Sequence, residues 1–365
     1  MDKELLQQLN FAELTEPLLD WYQENKRELP WRRDQDPYHI WLSEIMLQQT
    51  RVEAVRGYYA RFLKELPDIK SLAACPEEKL LKLWEGLGYY NRARNLKKAA
   101  EKIMEEHGGS FPSSYEEILA LPGIGSYTAG AVASIAFSLP YPAVDGNVLR
   151  VLMRVGDDSA DIAKAEVKKR TEEILKENMP SDPRSWNQAL MELGALVCLP
   201  NGEPHCGLCP WRELCLARAN QTIGQRPVKS PKKPRRVEKR SVLLLSDGEK
   251  VLLHKRAKKG LLAGLYEFPN MENWQEQDAL LAYARELGAE VLRIEELEEA
   301  KHIFTHVEWQ MKGYLLRIEE ANEVGQKDCF YADWKELETV YAIPSAFRVY
   351  TNFAKKWIAT HYDMK

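Results

Sequence analysis

The sequence predicts a multidomain protein in which an all-α region closed by a four-cysteine loop precedes a region of mixed α and β structure. Three observations carry this. Apolar residues recur at helical spacing almost throughout residues 18–178, four cysteines crowd into 198–215, and short β-rich runs dominate beyond residue 240. A length of 365 residues also asks for two domains or more, because single cores stop growing at about 250–300 residues.

Helical periodicity marks residues 18–24, 40–62, 78–83, 96–105, 115–119, 127–138, 148–155 and 165–178. Residues 225–240, QRPVKSPKKPRRVEKR, hold three prolines and eight Lys or Arg against one Glu, with no apolar pattern. This stretch reads as an extended basic linker between domains over 1–224 and 241–365. Beyond it, strands are expected over 241–245, 251–255 and 303–318, flanking a helix at 277–287.

Composition excludes some functions. No apolar run reaches the roughly 18 residues that a membrane span requires; the richest stretch, 128–137, reads as a buried helix. The net charge of −4 gives no global support for a nucleic-acid partner, so such a partner must rest on local basic clusters. Residues 1–20 show no charged-then-apolar leader, and the chain is therefore expected in the reducing cytosol.

Cys198, Cys206, Cys209 and Cys215 follow the spacing C-x7-C-x2-C-x5-C, with Cys75 and Cys329 left outside. Four thiolates this close suit an iron–sulfur cluster or a structural zinc, and a reducing compartment weighs against two disulfides. Spacing alone leaves the metal open, and His205 offers an alternative nitrogen ligand.

Two further motifs stand between helical segments. In Leu121-Pro122-Gly123-Ile124-Gly125 the glycines allow a tight turn, and the following helix start points free N–H groups outward, which suits a phosphate. A plain helix–helix turn has the same composition. In Val144-Asp145-Gly146-Asn147 an acid opens a helix after an apolar approach, as an N-cap does.

The order LPGIG, VDGNV and four-cysteine loop resembles the helix–hairpin–helix DNA glycosylases of the endonuclease III superfamily over about residues 15–220. Residues LPWR at 29–32, WLSEIMLQQT at 41–50 and WEGLGYY at 84–90 look like its MutY branch, the adenine DNA glycosylases. The resemblance implies a [4Fe–4S] cluster on Cys198, Cys206, Cys209 and Cys215, although the first spacing is x7 where x6 is usual. A one-residue bulge in a surface loop should still close.

Cleaving an N-glycosyl bond needs a proton for the departing base and negative charge near a sugar that becomes cationic. Glu44 lies in an apolar, amide-rich helix, where partial burial raises its pKa and suits a general acid. Asp145 at a helix start is expected to have the opposite bias, towards its ionised form. By resemblance, Glu44 protonates adenine N7, Asp145 stabilises the sugar cation and Asn147 orients the site. Gln49 and Tyr89 are implied to wedge into the base stack when the adenine flips out. Arg32, Leu47 and Gln188 would meet the substrate, and Gly123 and Gly125 a phosphate. Thr50, Arg51, Arg92, Arg94 and Lys97 either position phosphates or form a solvated face. Strand-cleaving relatives carry a Schiff-base Lys where this chain has Tyr127, which implies base removal only and argues against an enzyme that nicks at oxidised pyrimidines.

Residues 241–361 resemble the Nudix-like α+β domain of the same family, through GLYEFP at 264–269 and ARELG at 284–288. The helix lacks the glutamate pair that binds magnesium, so a binding module is expected. Phe304-Thr305-His306 matches the family's F-S-H loop, which reads 8-oxoguanine, with Thr for Ser. The implied partner is duplex DNA carrying 8-oxoguanine:adenine or guanine:adenine mispairs, met by a monomer in the bacterial cytoplasm at the nucleoid.

Overall fold

The computed structural model describes residues 9–231, 234–322, 324 and 328–362. The chain forms two compact units. One joins the residues up to Ala74 with those from Asn95 to the linker; the other joins Cys75–Arg94 with the region beyond the linker.

The first unit is helical: α1 (Phe11–Asn25), α2 (Pro37–Leu47), α3 (Val52–Glu65) and α4 (Ile69–Ala74) belong to it, whereas α5 (Glu77–Leu83) lies in the second unit. The unit boundary falls within α6 (Asn91–Glu106), and the first unit continues with α7 (Tyr115–Leu119), α8 (Ser126–Phe137), α9 (Gly146–Val155), α10 (Ala165–Glu177), α11 (Pro183–Leu196) and α12 (Leu216–Ala219). The expected helix over 40–62 is two helices, because Gln49 adopts a left-handed φ of 60° and breaks the run. Trp186, Trp211, Leu152, Leu190 and Leu18 are fully buried in one core that unites α1, α9 and α11.

Two glycines let these helices approach closely. A Cβ on Gly130 of α8 would meet the carbonyl oxygen of Pro142 at 2.0 Å, and one on Gly194 of α11 would meet Asn147 Cβ at 2.9 Å. Asn187, fully buried, donates to Ser134 Oγ (2.8 Å) and the Tyr141 carbonyl (2.9 Å) while accepting from the Ala143 amide (3.0 Å). The segment that delivers Asp145 to the start of α9 is thereby fixed on both sides.

Among the described residues, the second unit is built on an eight-stranded sheet: β1 (Arg236–Ser246), β2 (Lys250–Lys255), β3 (Tyr266–Glu267), β4 (Asn270–Glu272), β5 (Val291–Glu296), β6 (Ala300–Ile303), β7 (Val307–Ile318) and β8 (Cys329–Asp333). The order β3-β2-β1-β7-β5 places a parallel β1/β7 pair at the centre, with every other pairing antiparallel. Leu243 and Leu245 pack with α13 (Gln277–Glu286), whereas Val242 and Leu244 pack with α14 (Trp334–Thr339) and α15 (Arg348–Tyr362). A strand covered on both faces explains the unbroken apolar run at 242–245. Strand β1 reaches back to Arg236, within the stretch expected as linker, because its backbone pairs with β7 from Val307 onward. The run expected over 303–318 is interrupted at 304–306, where a tight turn joins β6 to β7.

Candidate active site

Arg32, Glu44, Leu47, Gln49, Thr50, Gly125, Tyr127, Asp145, Asn147 and Gln188 line one cavity of about 760 Å³ in the first unit. Gly123 and the four cysteines of the same unit do not line it, and Tyr89, Thr305 and His306 belong to the second unit.

Glu44 is 6% exposed, on the buried face of α2. Burial pushes its carboxyl up to about 7, against the pull of a 2.7 Å hydrogen bond donated by the Tyr127 hydroxyl to Oε2. Burial also holds Tyr127 well above the ordinary tyrosine value, so it stays a donor. Asp145 caps α9. Its Oδ1 accepts from the backbone amides of Asn147 (2.9 Å) and Val148 (2.8 Å), and its Oδ2 from Asn147 Nδ2 (2.9 Å). The expected bias towards the ionised form is corrected here: burial outweighs these donors and the pKa of Asp145 is raised. Asn147 Oδ1 accepts from Arg150 Nη2 (3.0 Å), whose Nε reaches the Cys198 carbonyl (2.8 Å), so one hydrogen-bonded path links Asp145 to the cysteine loop.

Glu192 is a site residue that sequence reasoning missed. Buried on α11, it accepts from Arg27 Nε (2.7 Å) and Arg32 Nη2 (2.7 Å), which turns the Arg32 guanidinium along the cavity wall. Burial pushes its carboxyl up, but the two arginines prevail and hold it down to about 2. Its contribution to stability is therefore complete above the unfolded value near 4.5 and lost as pH falls towards about 2. Glu192→Gln should cost about 3 kcal/mol, the low end for a broken buried pair because both arginines keep some solvent contact, as read by urea unfolding.

The two hairpin glycines have different duties. Gly123 has φ 78°, and a Cβ there would meet Asn95 Cβ at 2.5 Å, so packing requires it. Gly125 caps α8 with nothing within 4 Å of its Cβ position, which leaves open space at the helix N-terminus. Gln49 is exposed at the break between α2 and α3. Gln188 accepts from the Tyr22 hydroxyl at 3.2 Å.

Cys198, Cys206, Cys209 and Cys215 line a second, small apolar cavity with Trp211, Arg154 and Arg212. Arg154 Nη1 donates to Cys198 Sγ at 3.4 Å. The longer first spacing is absorbed in an exposed turn through Gly202 (φ 74°), after which the His205 amide returns to the Val197 carbonyl at 2.9 Å. Among the described residues, no group of three or more His, Cys, Asp or Glu side chains is set to hold a single metal ion.

In the second unit, the Phe304 amide bonds the Val307 carbonyl (2.8 Å), leaving Thr305 and His306 exposed at the tip of the β6–β7 turn. Arg235 Nε reaches the Phe304 carbonyl (3.1 Å), the Arg236 amide reaches that of His306 (3.1 Å), and the Phe304 ring packs on Trp309.

The model of the HhH-GPD superfamily of base excision DNA repair proteins matches residues 42–177, and that of the NUDIX domain residues 241–352. A solved thermostable thymine-DNA glycosylase is similar with a TM-score of 0.53 and 28% identity, over 57% of this chain and 97% of that one. Fold and site together define a helix–hairpin–helix base-excision DNA glycosylase with an appended Nudix-type domain. The chain is 35% identical to the Homo sapiens adenine DNA glycosylase over 402 residues, covering 91% of this chain and 73% of that one. It is 37% identical over 295 residues to the enzyme of Buchnera aphidicola subsp. Baizongia pistaciae, covering 80% and 82%. The chain belongs to the adenine DNA glycosylase family, and it is a DNA N-glycosylase of base excision repair.

Proposed function

We propose that this enzyme hydrolytically removes adenine mispaired with 8-oxoguanine or guanine in duplex DNA, leaving an abasic site in an intact strand. The observation that carries the reading is Glu44, a buried carboxyl at about 7 in the same cavity as Asp145. Near neutral pH it is part protonated, as a general acid must be. Glu44 gives its proton to adenine N7, and the C1′–N9 bond breaks with its electron pair leaving on the base. Water adds to the sugar cation at C1′ and its proton returns to the Glu44 carboxylate. Asp145 faces the cation, whose charge favours the ionised form that burial alone opposes. Tyr127 orients Glu44, Asn147 orients Asp145, and Arg32, Leu47 and Gln188 meet the flipped base.

Glycosylase chemistry is assigned to residues 1–224 and recognition to residues 241–365, with 225–240 connecting them and the last five of those residues already forming the start of β1. Gln49 and Tyr89 fill the gap left in the stack, with Thr50, Gly123 and Gly125 at the backbone. The enzyme acts as a monomer in the bacterial cytoplasm at the nucleoid; no helix among the described residues is long and apolar enough to cross a membrane. The test is a duplex with one adenine opposite 8-oxoguanine, read with and without alkali. Strand scission should need alkali. Scission without it would remove the assignment of base removal alone, and intact DNA under both conditions would remove the whole reading.

Cys198, Cys206, Cys209 and Cys215 are proposed to hold a [4Fe–4S] cluster, which when bound would tie the loop together. The donor set fits: four thiols surround one apolar space, and the Arg150 and Arg154 side chains at Cys198 offset thiolate charge. The purified protein should be brown with about four irons per chain, and Cys206→Ser should lose them. Stoichiometric zinc in protein prepared without oxygen would refute this.

Thr305 and His306 are proposed to read the oxidised guanine, since they stand exposed on a turn braced by Arg235, Arg236 and Trp309. Thr305→Ala with His306→Ala should remove about 1–3 kcal/mol of preference for 8-oxoguanine over guanine opposite adenine, roughly ten- to a hundredfold. Unfolding temperature should not move. A full preference in this variant would shift recognition to Gln49 and Tyr89.

A further inference from the structure

The segment Cys75–Arg94, which carries Tyr89, belongs to the same compact unit as the C-terminal sheet although more than a hundred residues separate them in sequence. Tyr89 is 49% exposed with φ 48°, and it follows Gly86 (φ 98°) and Gly88 (φ 70°). Such a backbone persists only where its surroundings impose it.

Part of that restraint is local. Arg92 Nη2 donates to the carbonyls of Leu87 (3.0 Å) and Gly88 (3.2 Å), Trp84 Nε1 donates to Gly88 (3.1 Å), and the Arg92 guanidinium lies 5.5 Å from both the Trp84 and Tyr89 rings. The rest comes from the sheet domain. Lys82 Nζ donates to the carbonyls of Leu337 (2.9 Å) and Tyr341 (3.0 Å), at and just beyond the end of α14, and pairs with Glu85 Oε2 at 2.6 Å. Glu85 Oε1 accepts the Ile343 amide at 2.7 Å. Two outer contacts flank this pair. Arg94 Nη2 reaches the Ala263 carbonyl (2.7 Å), and Glu78 Oε1 accepts from Lys255 (2.7 Å) and the Tyr266 hydroxyl (2.8 Å). Lys82 thus meets the electronegative end of a helix, while its partner carboxylate on Glu85, four residues before Tyr89, takes the Ile343 N–H.

The geometry points to Lys82 and Glu85 as positioning residues: an ion-paired clasp through which the C-terminal recognition domain sets the wedge Tyr89. This rests on the reading of Tyr89 as the residue that enters the base stack. Recognition at Thr305 and His306 and wedging at Tyr89 are then carried by one body, so the C-terminal domain contributes to base extrusion as well as to the choice of opposing base.

The test is a double-mutant cycle in the full-length protein on a duplex with one adenine opposite 8-oxoguanine and 2-aminopurine at the adjoining step. Single-turnover base release and the rise of 2-aminopurine fluorescence are followed for Lys82→Met, Glu85→Gln, Tyr89→Ala and each clasp variant combined with Tyr89→Ala. Glu85→Gln keeps an oxygen for the Ile343 amide and removes only the ion pair, so it remains informative if Lys82→Met folds poorly. Each clasp variant should slow release and the fluorescence rise by ~10- to 100-fold, Glu85→Gln with little change in unfolding temperature and Lys82→Met with a lower one, since it also removes two hydrogen bonds to backbone carbonyls. Combined with Tyr89→Ala, it should add nothing. Lys82→Arg should restore much of the rate, since it keeps the charge and the donors. A normal fluorescence rise in both clasp variants, or losses that multiply with that of Tyr89→Ala, would overturn the clasp alone. Tyr89→Ala with normal extrusion would overturn the wedge reading and the clasp with it.

Discussion

Asp145→Asn should bind duplex DNA about as well as the parent while base release falls by roughly two to three orders of magnitude or more, the loss typical when charge aimed at a transition state is removed. Asparagine remains a good N-cap, so Oδ1 can still take the Asn147 and Val148 amides, and the helix should lose little. What changes is the second oxygen. Oδ2 now accepts from Asn147 Nδ2, and an amide nitrogen placed there would confront another donor, because Asn147 Oδ1 is engaged by Arg150. The variant would therefore lose the charge proposed to face the sugar cation and also loosen the path from Asn147 to the cysteine loop. Single-turnover release measured after alkali, beside a gel-shift titration, separates the two effects. Normal release would sink the role given to Asp145, and lost binding with proportionate loss of rate would make it a structural cap.

Much of the first unit was legible in its sequence because its signals are local. The helix expected over 115–119 is found there, the one expected over 127–138 is shifted by one residue at each end, and the one expected over 165–178 is one residue shorter at its C-terminus, since each is amphipathic or wholly apolar and ends at polar or turn residues. Two breaks in the predicted elements were not legible. Gln49 interrupts the run 40–62 with neither Gly nor Pro to mark it, and 304–306 interrupt a β-rich run whose alternation continues through the turn. Helix α11 was overlooked although Asp182-Pro183 is a good start signal, with the Asp182 side chain accepting from the Ser185 amide at 3.0 Å. Asn187 and Glu192 were missed with it, and their roles depend on partners from 44 to 165 residues away. The union of Cys75–Arg94 with the C-terminal sheet has the same cause: nothing in the sequence of Lys82 or Glu85 announces partners beyond residue 330. Asp145 failed differently. Its donors were inferred correctly from the N-cap position, but the weight of burial against them depends on how deep the start of α9 lies.

Glu44→Gln should abolish most base release and also remove its dependence on pH between about 6 and 8, which makes it the more discriminating variant. In the parent, burial holds the Glu44 carboxyl at about 7, so the acid form is mostly present below neutrality and is lost as pH rises through that value. The single-turnover rate should therefore be level on the acid side and fall about tenfold per pH unit on the alkaline side, the slope of one ionisation. At lower pH a second limb is expected as Asp145 protonates. That limb should lie above the ordinary aspartate range, because burial raises this group too. Tyr127→Phe supplies the internal control. It removes the hydroxyl that donates to Glu44 Oε2 and stabilises the carboxylate, so the pKa of Glu44 should move further up and the alkaline limb with it, as orientation of the acid is lost. A limb that stays in place in Tyr127→Phe, or that survives in Glu44→Gln, would mean that another group supplies the proton.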